Sequence, residues 1–266
     1  MLRARLATAA VAIPLLLALI FLAPAWGWGS LVVVLAVLAV VEFLGLAFPD
    51  RRSPKVVGGV LGVAMALAAV SAPQPGVWLV ASVAAILPLS MIYLVLCRRD
   101  VAVALNDVAL ITVGVLYGGL LLPHFFWLRA LPDGPAWVTF VIAIGMAGDS
   151  SGYFVGHALG RHKLIPHLSP GKTVEGALGI VAGSLLCAAG AKLILLPAHG
   201  WNEILTLALV MSILGQFGDL GESAIKRSFG AKESGALFPG HGGILDRIDS
   251  LLFPVAVVYY YLFASS

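Results

Sequence analysis

The stretch GSLVVVLAVLAVVEFLGLAF, residues 29–48, decides the class of fold. Glu42 is its only charged residue, and we interpret that residue as one that pairs locally within the membrane. A run of about 20 apolar residues, wound as an α-helix, crosses a hydrocarbon core about 30 Å thick. Because lipid offers the backbone no hydrogen bonds, such a segment crosses as a helix. The stretch therefore predicts a transmembrane helix.

Similar apolar runs recur along the whole chain. Of its 266 residues, 61% are hydrophobic and only 11% are charged, with a mean hydropathy of +1.03. A soluble domain carries about a quarter charged residues, so the composition indicates a chain solvated by lipid. We predict an all-α, polytopic integral membrane protein with about nine transmembrane helices, at residues 6–26, 29–48, 56–73, 77–97, 104–122, 136–156, 174–197, 203–224 and 246–263.

The first span has an alternative interpretation. Basic residues Arg3 and Arg5 precede an apolar run, as in a secretory signal, and Ala23-Pro24-Ala25 resembles a cleavage site. The run over residues 6–22 is longer than the usual signal core of about 7–15 residues. We therefore expect a retained first transmembrane helix.

The distribution of basic residues predicts the orientation. With nine spans and a cytoplasmic N-terminus, every Lys and Arg except Arg129 and Lys192 falls in or beside a cytoplasmic segment. Cytoplasmic loops carry an excess of Lys and Arg, so this pattern favours both the span count and a cytoplasmic N-terminus. The same rule explains the short basic loops without assigning them any chemistry.

Other compositional features exclude several classes of protein. A net charge of +3 with a pI of about 9.0 is too small a basic excess to indicate nucleic-acid binding. Cys97 and Cys187 belong to no Cys/His cluster, so neither a zinc site nor a disulfide framework is predicted. We expect a single membrane-embedded unit, with N-terminal transmembrane helices over residues 1–140 and a catalytic region over residues 141–266.

The first polar stretch that suggests chemistry runs over residues 148–176. Ser169-Pro170-Gly171 predicts a turn that leads into a helix, with Thr173 as the N-cap and Glu175 in the first turn. Free backbone N–H groups at a helix start bind phosphate well, and Lys172 adds a positive charge. The alternative is an ordinary interfacial loop with a helix cap.

The second polar stretch runs over residues 218–250 and is more informative. The spacing of its first charged and polar residues predicts one stripe on a helix, formed by Asp219, Glu222, Ser223 and Lys226. Asp246 and Asp249 also share a helix face, and a glycine-rich loop with His241 lies between the two groups. Carboxylates near bound phosphates usually hold Mg²⁺. The alternative is an ion-pair cluster that only locks helices together, although such a cluster does not require the glycines.

These two stretches resemble the phosphatidate cytidylyltransferase family, also called CDP-diacylglycerol synthases. The resemblance covers residues 148–250 and rests on Asp149, Tyr153, Gly160, Ser169-Pro170-Gly171-Lys172-Thr173-x-Glu175-Gly176, Ser223-x-x-Lys226-Arg227, Lys232, Pro239-x-His241-Gly242-Gly243 and Asp246-Arg247-x-Asp249. Glu233 departs from the aspartate usual in the family, so we leave it out of the expected metal ligands.

The resemblance implies the reaction of CTP with phosphatidate to give CDP-diacylglycerol and pyrophosphate, a step of phospholipid biosynthesis. It also implies Mg²⁺, with a second metal ion as an open alternative, a homodimer, and a site on the cytoplasmic side of the bacterial cytoplasmic membrane. The expected catalytic residues are Asp219, Lys226, Arg227, His241, Asp246 and Arg247. The expected metal ligands are Asp219, Glu222, Asp246 and Asp249. The expected substrate-binding residues are Asp149, Ser169, Lys172, Thr173, Glu175, Ser223, Gly242 and Gly243.

Three other classes are weighed against this one. Charged residues in spans also suit an ion-coupled transporter, but transporter sites lie near the midplane, often between inverted repeats. Here the polar residues gather at one edge, and the sequence shows no repeat. The CDP-alcohol phosphotransferases carry an Asp-Gly-x-x-Ala-Arg element that this chain lacks. A purely structural membrane protein does not account for the acidic, glycine-rich segment.

Overall fold

A computed structural model gives the architecture, and it describes residues 2–71, 75–97, 101–235, 237 and 242–265. The described chain is a bundle of helices with one short β-hairpin. The helices are α1 Leu2–Leu22, α2 Ala25–Ala47, α3 Arg52–Ser71, α4 Pro75–Cys97, α5 Val101–Gly114, α6 His124–Ala130, α7 Gly134–Leu159, α8 Val174–Ile194, α9 Trp201–Ser228 and α10 Leu245–Ser265.

The predicted class, a polytopic helical membrane protein, is confirmed. Within the described residues, eight segments are long and apolar enough to span a bilayer. The segment expected to be the first of about nine spans forms helix α1. Its described apolar part, Ala12–Leu22, is shorter than a bilayer span. Seven of the helices α2–α10 each supply one span, and one span, Val103–Ala130, combines α5 with α6.

The region of the predicted fifth span differs from expectation. Residues Val115–Leu120, inside the predicted span, form a π-helix after α5. A short turn then leads into α6, which lies between the predicted fifth and sixth spans. Asp107, a charged residue near the start of this predicted span, is fully buried and forms an ion pair with Arg51. A buried charge is costly unless it is paired, so Arg51 allows the polar end of α5 to pack inside.

Close packing of α7 on α8 depends on small residues. Gly179 of α8 faces Val155 of α7, and a Cβ at Gly179 would lie 2.7 Å from the Val155 Cβ. Likewise, a Cβ at Gly148 would lie 2.8 Å from Ser184 Oγ. Small residues let helix backbones approach in a membrane, where dispersion and weak polar contacts drive association. This close contact sets the spacing between α7 and α8.

The segment between the predicted sixth and seventh spans, residues 157–173, contains an antiparallel hairpin. Strand β1, Lys163–Ile165, pairs with β2, Ser169–Thr173. Thr173 is the N-cap of α8 as predicted, because its side chain accepts a hydrogen bond from Gly176 N at 3.0 Å. The hairpin is therefore fixed directly to the start of α8.

Helices α9 and α10 also cross at glycines. A Cβ at Gly215 would lie 2.9 Å from the backbone oxygen of Ser250, and one at Gly218 would meet the backbone oxygen of Asp249. Helix α10 packs in addition on α2, α6 and α7. The acidic first turns of α10 are thereby placed between the polar end of α9 and the N-terminal helices.

Candidate active site

Lys226 joins the polar residues of α9 to those of α10. Its Nζ lies 2.5 Å from Oε2 of Glu222, one helical turn earlier, and 2.5 Å from Oδ1 of Asp246. Glu222 is buried, with 2% of its surface exposed. Because buried carboxylates need compensating charge, one lysine between two acids keeps the cluster stable. The predicted stripe on α9 and the acidic face of α10 therefore meet at this lysine.

Asp246 is held on both of its carboxylate oxygens. While Oδ1 accepts from Lys226, Oδ2 accepts from Ser234 N at 2.9 Å, Ser234 Oγ at 2.9 Å and Gly243 N at 2.8 Å. Gly242 next to it has φ +77°, a conformation that glycine adopts without strain. Asp246 thus fixes the turn before α10 as well as the position of Lys226.

Asp219 of α9 contacts the hairpin rather than α10. Its Oδ2 lies 2.6 Å from Nζ of Lys172 in β2. Both side chains are partly exposed, at 33% and 25%. This ion pair links the hairpin, which Thr173 fixes to α8, with the first residue of the polar stripe on α9.

Asp149 and Asp249 both accept hydrogen bonds from Ser250. Asp149 of α7 accepts from Ser250 Oγ at 3.2 Å, and Asp249 of α10 accepts from Ser250 N at 2.7 Å. Asp219 acts electrostatically on both acids. Three carboxylates thus lie close enough to act on one another, and such an arrangement attracts positive charge.

A pocket of about 540 Å³ opens between α7, the hairpin, α8 and α9, and we call it the glycine-lined pocket. Its wall includes five glycines, which expose the backbone to a ligand, and two lysines. Asp219 and Gln216 also line this pocket. The five glycines are Gly152, Gly156, Gly160, Gly171 and Gly176, and the two lysines are Lys163 and Lys172.

A second cavity of about 490 Å³, which we call the apolar groove, is lined by Asp149, Asp246 and Asp249. Its walls come from α1, α2, α6, α7 and α10 and include Leu16, Trp28, Leu31, Leu35, Phe125 and Ile142. Its polar lining consists of Asp149, Ser150, Asp246, Arg247 and Asp249. The acids of the two cavities act on each other electrostatically, because Asp219 of the glycine-lined pocket influences Asp149 and Asp249 of the apolar groove.

Other predicted site residues have different surroundings. Arg227 donates to Ala231 O at 2.9 Å, at the end of α9. Glu175 accepts from Arg161 N at 3.0 Å and lies 2.6 Å from Nδ1 of His162, so it holds the segment before β1. Ser169 begins β2, and Ser223 is half-buried beside Glu222. His241 lies outside the described residues, and its role stays a prediction.

Two residues of the N-terminal half reach this region, and the motif comparison did not include either of them. Glu42 of α2 accepts hydrogen bonds from the start of α10. Tyr117, in the π-helix, has a buried hydroxyl with no hydrogen-bond partner among the described residues, and Asp249, Glu222 and Asp219 act on it electrostatically. The sequence signal for Glu42 was a charge inside an apolar run, whereas Tyr117 is marked only by the π-helix seen in the structure, a feature that often occurs at functional sites.

The donors suit Mg²⁺ chemically, because this ion prefers oxygen ligands. Within the part of the chain that is described, no group of three or more His, Cys, Asp or Glu side chains is placed to hold a metal by itself. Mg²⁺ is usually bound by one or two carboxylates together with substrate phosphates and water. The oxygen atoms present are therefore of the kind that Mg²⁺ prefers, and further ligands would have to come from outside the described side chains.

The fold and this site define a multi-pass helical membrane protein whose charged residues converge between its C-terminal helices and the N-terminal helix α2. Comparison with known sequences then specifies the class. The model of the Cytidylyltransferase family matches residues 3–265, so the chain belongs to that family.

Individual relatives agree with this assignment. The chain is 39% identical over 158 residues to a phosphatidate cytidylyltransferase of Bacillus subtilis (strain 168), covering 59% of each chain. It is 45% identical over 151 residues to a phosphatidate cytidylyltransferase of Brucella abortus biovar 1, covering 55% of this chain and 54% of the relative. A protein of Escherichia coli (strain K12) called Uncharacterized protein YnbB is 37% identical over 180 residues, covering 64% and 60%. The matched part thus spans little more than half the length of these curated relatives.

Proposed function

We propose that the protein transfers the cytidylyl group of CTP to phosphatidate, forming CDP-diacylglycerol and pyrophosphate. One observation carries this proposal: two cavities with different linings are bordered by acids that act on one another, Asp219 in the glycine-lined pocket and Asp149 and Asp249 in the apolar groove. The glycine-lined pocket, with Lys163 and Lys172, suits a polar, phosphate-bearing ligand. The apolar groove suits acyl chains, and Arg247 with the neighbouring acids lines its polar part. A reaction between a nucleotide and an anionic lipid needs both.

In the reaction, a phosphate oxygen of phosphatidate attacks the α-phosphorus of CTP. The new P–O bond forms as the bond between the α-phosphorus and the bridging oxygen breaks, and pyrophosphate departs. Two polyanions repel each other, so the protein contributes mainly position and charge neutralisation. We assign that role to Lys226 between Glu222 and Asp246, to Lys172, and to Arg247 in the groove.

The ion pair between Lys172 and Asp219 gives a reason for ordered binding. Without a nucleotide, these two charges neutralise each other at 2.6 Å. A nucleotide phosphate would take the place of Asp219 beside Lys172, and Asp219 with Asp249 would then be able to hold Mg²⁺. Such an ion would supply positive charge that offsets the charge of the phosphates. Assignment of Asp246 and Glu222 to the metal stays a prediction, since both contact Lys226 here.

We further propose that the site faces the cytoplasm of a bacterial cell. The excess of Lys and Arg in the segments between spans, counted from the sequence, supports this orientation. CTP is soluble and would enter the glycine-lined pocket from water, whereas phosphatidate would enter the groove from the bilayer. Assembly as a homodimer follows from the family resemblance alone and is carried as a proposal.

The decisive experiment uses the purified full-length protein in detergent micelles with CTP, phosphatidate and Mg²⁺. We expect CDP-diacylglycerol, detected by mass spectrometry, and pyrophosphate in equal amounts, and we expect both to disappear with a chelator. Asp219→Asn serves as the loss-of-function control. A folded protein that forms no CDP-diacylglycerol under these conditions would refute the proposal, and uptake of a solute into proteoliposomes would favour a transporter instead.

A further inference from the structure

Glu42 contacts residues two hundred positions away in the chain. It is the only charged residue of α2, and its Oε1 accepts from Ile244 N at 2.9 Å. Its Oε2 accepts from Leu245 N at 3.0 Å and from Ser234 Oγ at 3.1 Å. Since α10 begins at Leu245, these backbone N–H groups have no acceptor within the helix. A carboxylate at a helix N-terminus also interacts favourably with the helix dipole.

Two glycines make room for this carboxylate. A Cβ at Gly235 would lie 2.7 Å from Glu42 Oε1, and a Cβ at Gly243 would collide with Glu42 Oε2 and Ser234 Oγ. Any larger residue at either position would displace Glu42 or the turn. Part of the glycine-rich segment between α9 and α10 is therefore explained by the side chain of α2 that it has to admit.

The same turn orients the reactive residues. Ser234 Oγ, which contacts Glu42, also lies 2.9 Å from Asp246 Oδ2, so its single hydrogen is shared between the two carboxylates. Gly243 N donates to Asp246 at 2.8 Å, and Asp246 in turn holds Lys226 at 2.5 Å. A continuous chain of hydrogen bonds thus runs from α2 through Ser234 and Asp246 to the lysine of α9.

We infer that Glu42 is a positioning residue of the active site: it fixes Ser234 and the start of α10 so that Asp246 holds Lys226 in its working orientation. This inference rests on the proposed cytidylyl transfer. It also assigns the N-terminal helices a part in catalysis, because α2 anchors the turn before α10 and also forms part of the wall of the apolar groove. A side chain held by several hydrogen bonds is preorganised, and preorganisation of this kind sustains the reaction rate.

The test is Glu42→Gln, which keeps the shape of the side chain but replaces one acceptor oxygen with an NH₂ group that cannot accept from an N–H. With the protein in detergent micelles, we measure kcat per folded molecule and the KM for each substrate. A misplacement of about 1 Å can cost about 100-fold in rate, so we expect kcat to fall tenfold or more. The KM for phosphatidate should stay within about twofold, because Glu42 does not line the groove.

A second variant tests the coupling. Ser234→Ala removes the shared hydroxyl, and we expect it to lower kcat in the same direction. If both residues act through one turn, the double variant should lose less than the product of the two single effects, since coupled sites are not additive. Fully independent effects would contradict the inference.

The matched control is Glu203→Gln. Glu203 lies in the first turn of the same helix that carries Asp219, and it contacts His199 at 3.2 Å. It is 16 residues from Asp219, or about 24 Å along the helix at 1.5 Å per residue. The same chemical change there should leave kcat within about twofold, so a general response to losing a carboxylate is excluded.

Glu42→Gln with kcat within twofold of the unmodified protein would overturn the inference, even if its thermal stability fell, because Glu42 would then be only a helix cap. If the glutamine variant does not fold, Glu42→Asp, which retracts the carboxylate by one methylene, carries the same test.

If the unmodified protein makes no CDP-diacylglycerol, the proposed function fails. Amide hydrogen exchange at Ile244 and Leu245 then decides the positioning: faster exchange in the glutamine variant supports it, and unchanged exchange overturns it.

Discussion

Substituting Gly179 with alanine tests whether the contact between α7 and α8 shapes the glycine-lined pocket. A Cβ at this position would lie 2.7 Å from Val155 Cβ and 2.9 Å and 3.1 Å from its two methyl carbons. Carbon atoms pack best at about 3.5–4.0 Å, so one of the backbones has to move by about 1 Å. Val155 is β-branched and has little freedom to rotate away. We therefore expect the two helices to separate locally.

The magnitude follows from this displacement. Overpacking a tight contact costs about 1–3 kcal/mol, which should lower the apparent melting temperature of the protein in micelles by several degrees. Because Gly152, Gly156 and Gly176 of the same two helices line the pocket, the KM for CTP should rise. The KM for phosphatidate should change little, since neither Gly179 nor Val155 lines the apolar groove.

The control lies in the same helix. A Cβ at Gly190 of α8 would meet nothing within 4 Å, and alanine has a higher helix propensity than glycine by about 1 kcal/mol. Gly190→Ala should therefore be neutral or stabilising, with unchanged KM values. We would measure both variants by thermal unfolding followed by size-exclusion chromatography and by steady-state kinetics. Equal stability and equal KM for CTP in the two variants would refute the packing argument.

Three further substitutions probe the site itself. Asp246→Asn, which removes the charge opposite Lys226 and an acceptor for Ser234, should lower turnover by orders of magnitude in a folded protein, and near-normal turnover would remove Asp246 from the site. Lys172→Gln should raise the KM for CTP by about tenfold or more, the value of a charge-assisted hydrogen bond, and an unchanged KM would place the nucleotide elsewhere. Tyr117→Phe removes a buried hydroxyl that lacks a partner among the described residues, so it should leave thermal stability unchanged or raise it by about 1 kcal/mol. Destabilisation by that variant would mean that the hydroxyl is hydrogen-bonded.

The sequence was sufficient to predict the class of fold, because the relevant signals are local. Apolar length identified the spans, and the i, i+3, i+4, i+7 spacing correctly placed Asp219 and Lys226 on one face of α9. The cap at Thr173 was also predicted correctly, since capping involves residues three positions apart. Each of these features depends on a few neighbouring residues and needs no knowledge of how the helices pack.

Features that depend on packing were missed. Nothing in residues 115–120 marks a π-helix, because its hydrogen bonds respond to tertiary contacts such as the close approach of Gly118 to Val40. The hairpin at residues 163–173 was not predicted, since strands of three and five residues are too short to show a clear alternation of apolar and polar residues.

The interpretation of Glu42 as a locally paired charge was wrong for the same reason. Its partners, Ser234, Ile244 and Leu245, belong to the other end of the chain. Periodicity within α2 says only that this residue lies inside a span, and the identity of a partner across the bundle is set by which helices touch. A charge inside an apolar helix requires a partner because of its cost in lipid, but it does not specify which one.

This requirement bears on how one chain would combine the two proposed substrates, CTP and phosphatidate, which prefer different solvents. A lipid phosphate can enter the protein only where buried charges are compensated, and a nucleotide only where the backbone is accessible to water. In this molecule Lys226 compensates Glu222 and Asp246, Lys172 compensates Asp219, and the remaining acids, Asp149 and Asp249, contact Ser250. Several carboxylates thus border the two cavities. A cation bound together with CTP would offset their negative charge, so the proposed chemistry and the electrostatics of the site favour the same order of binding, with CTP before phosphatidate.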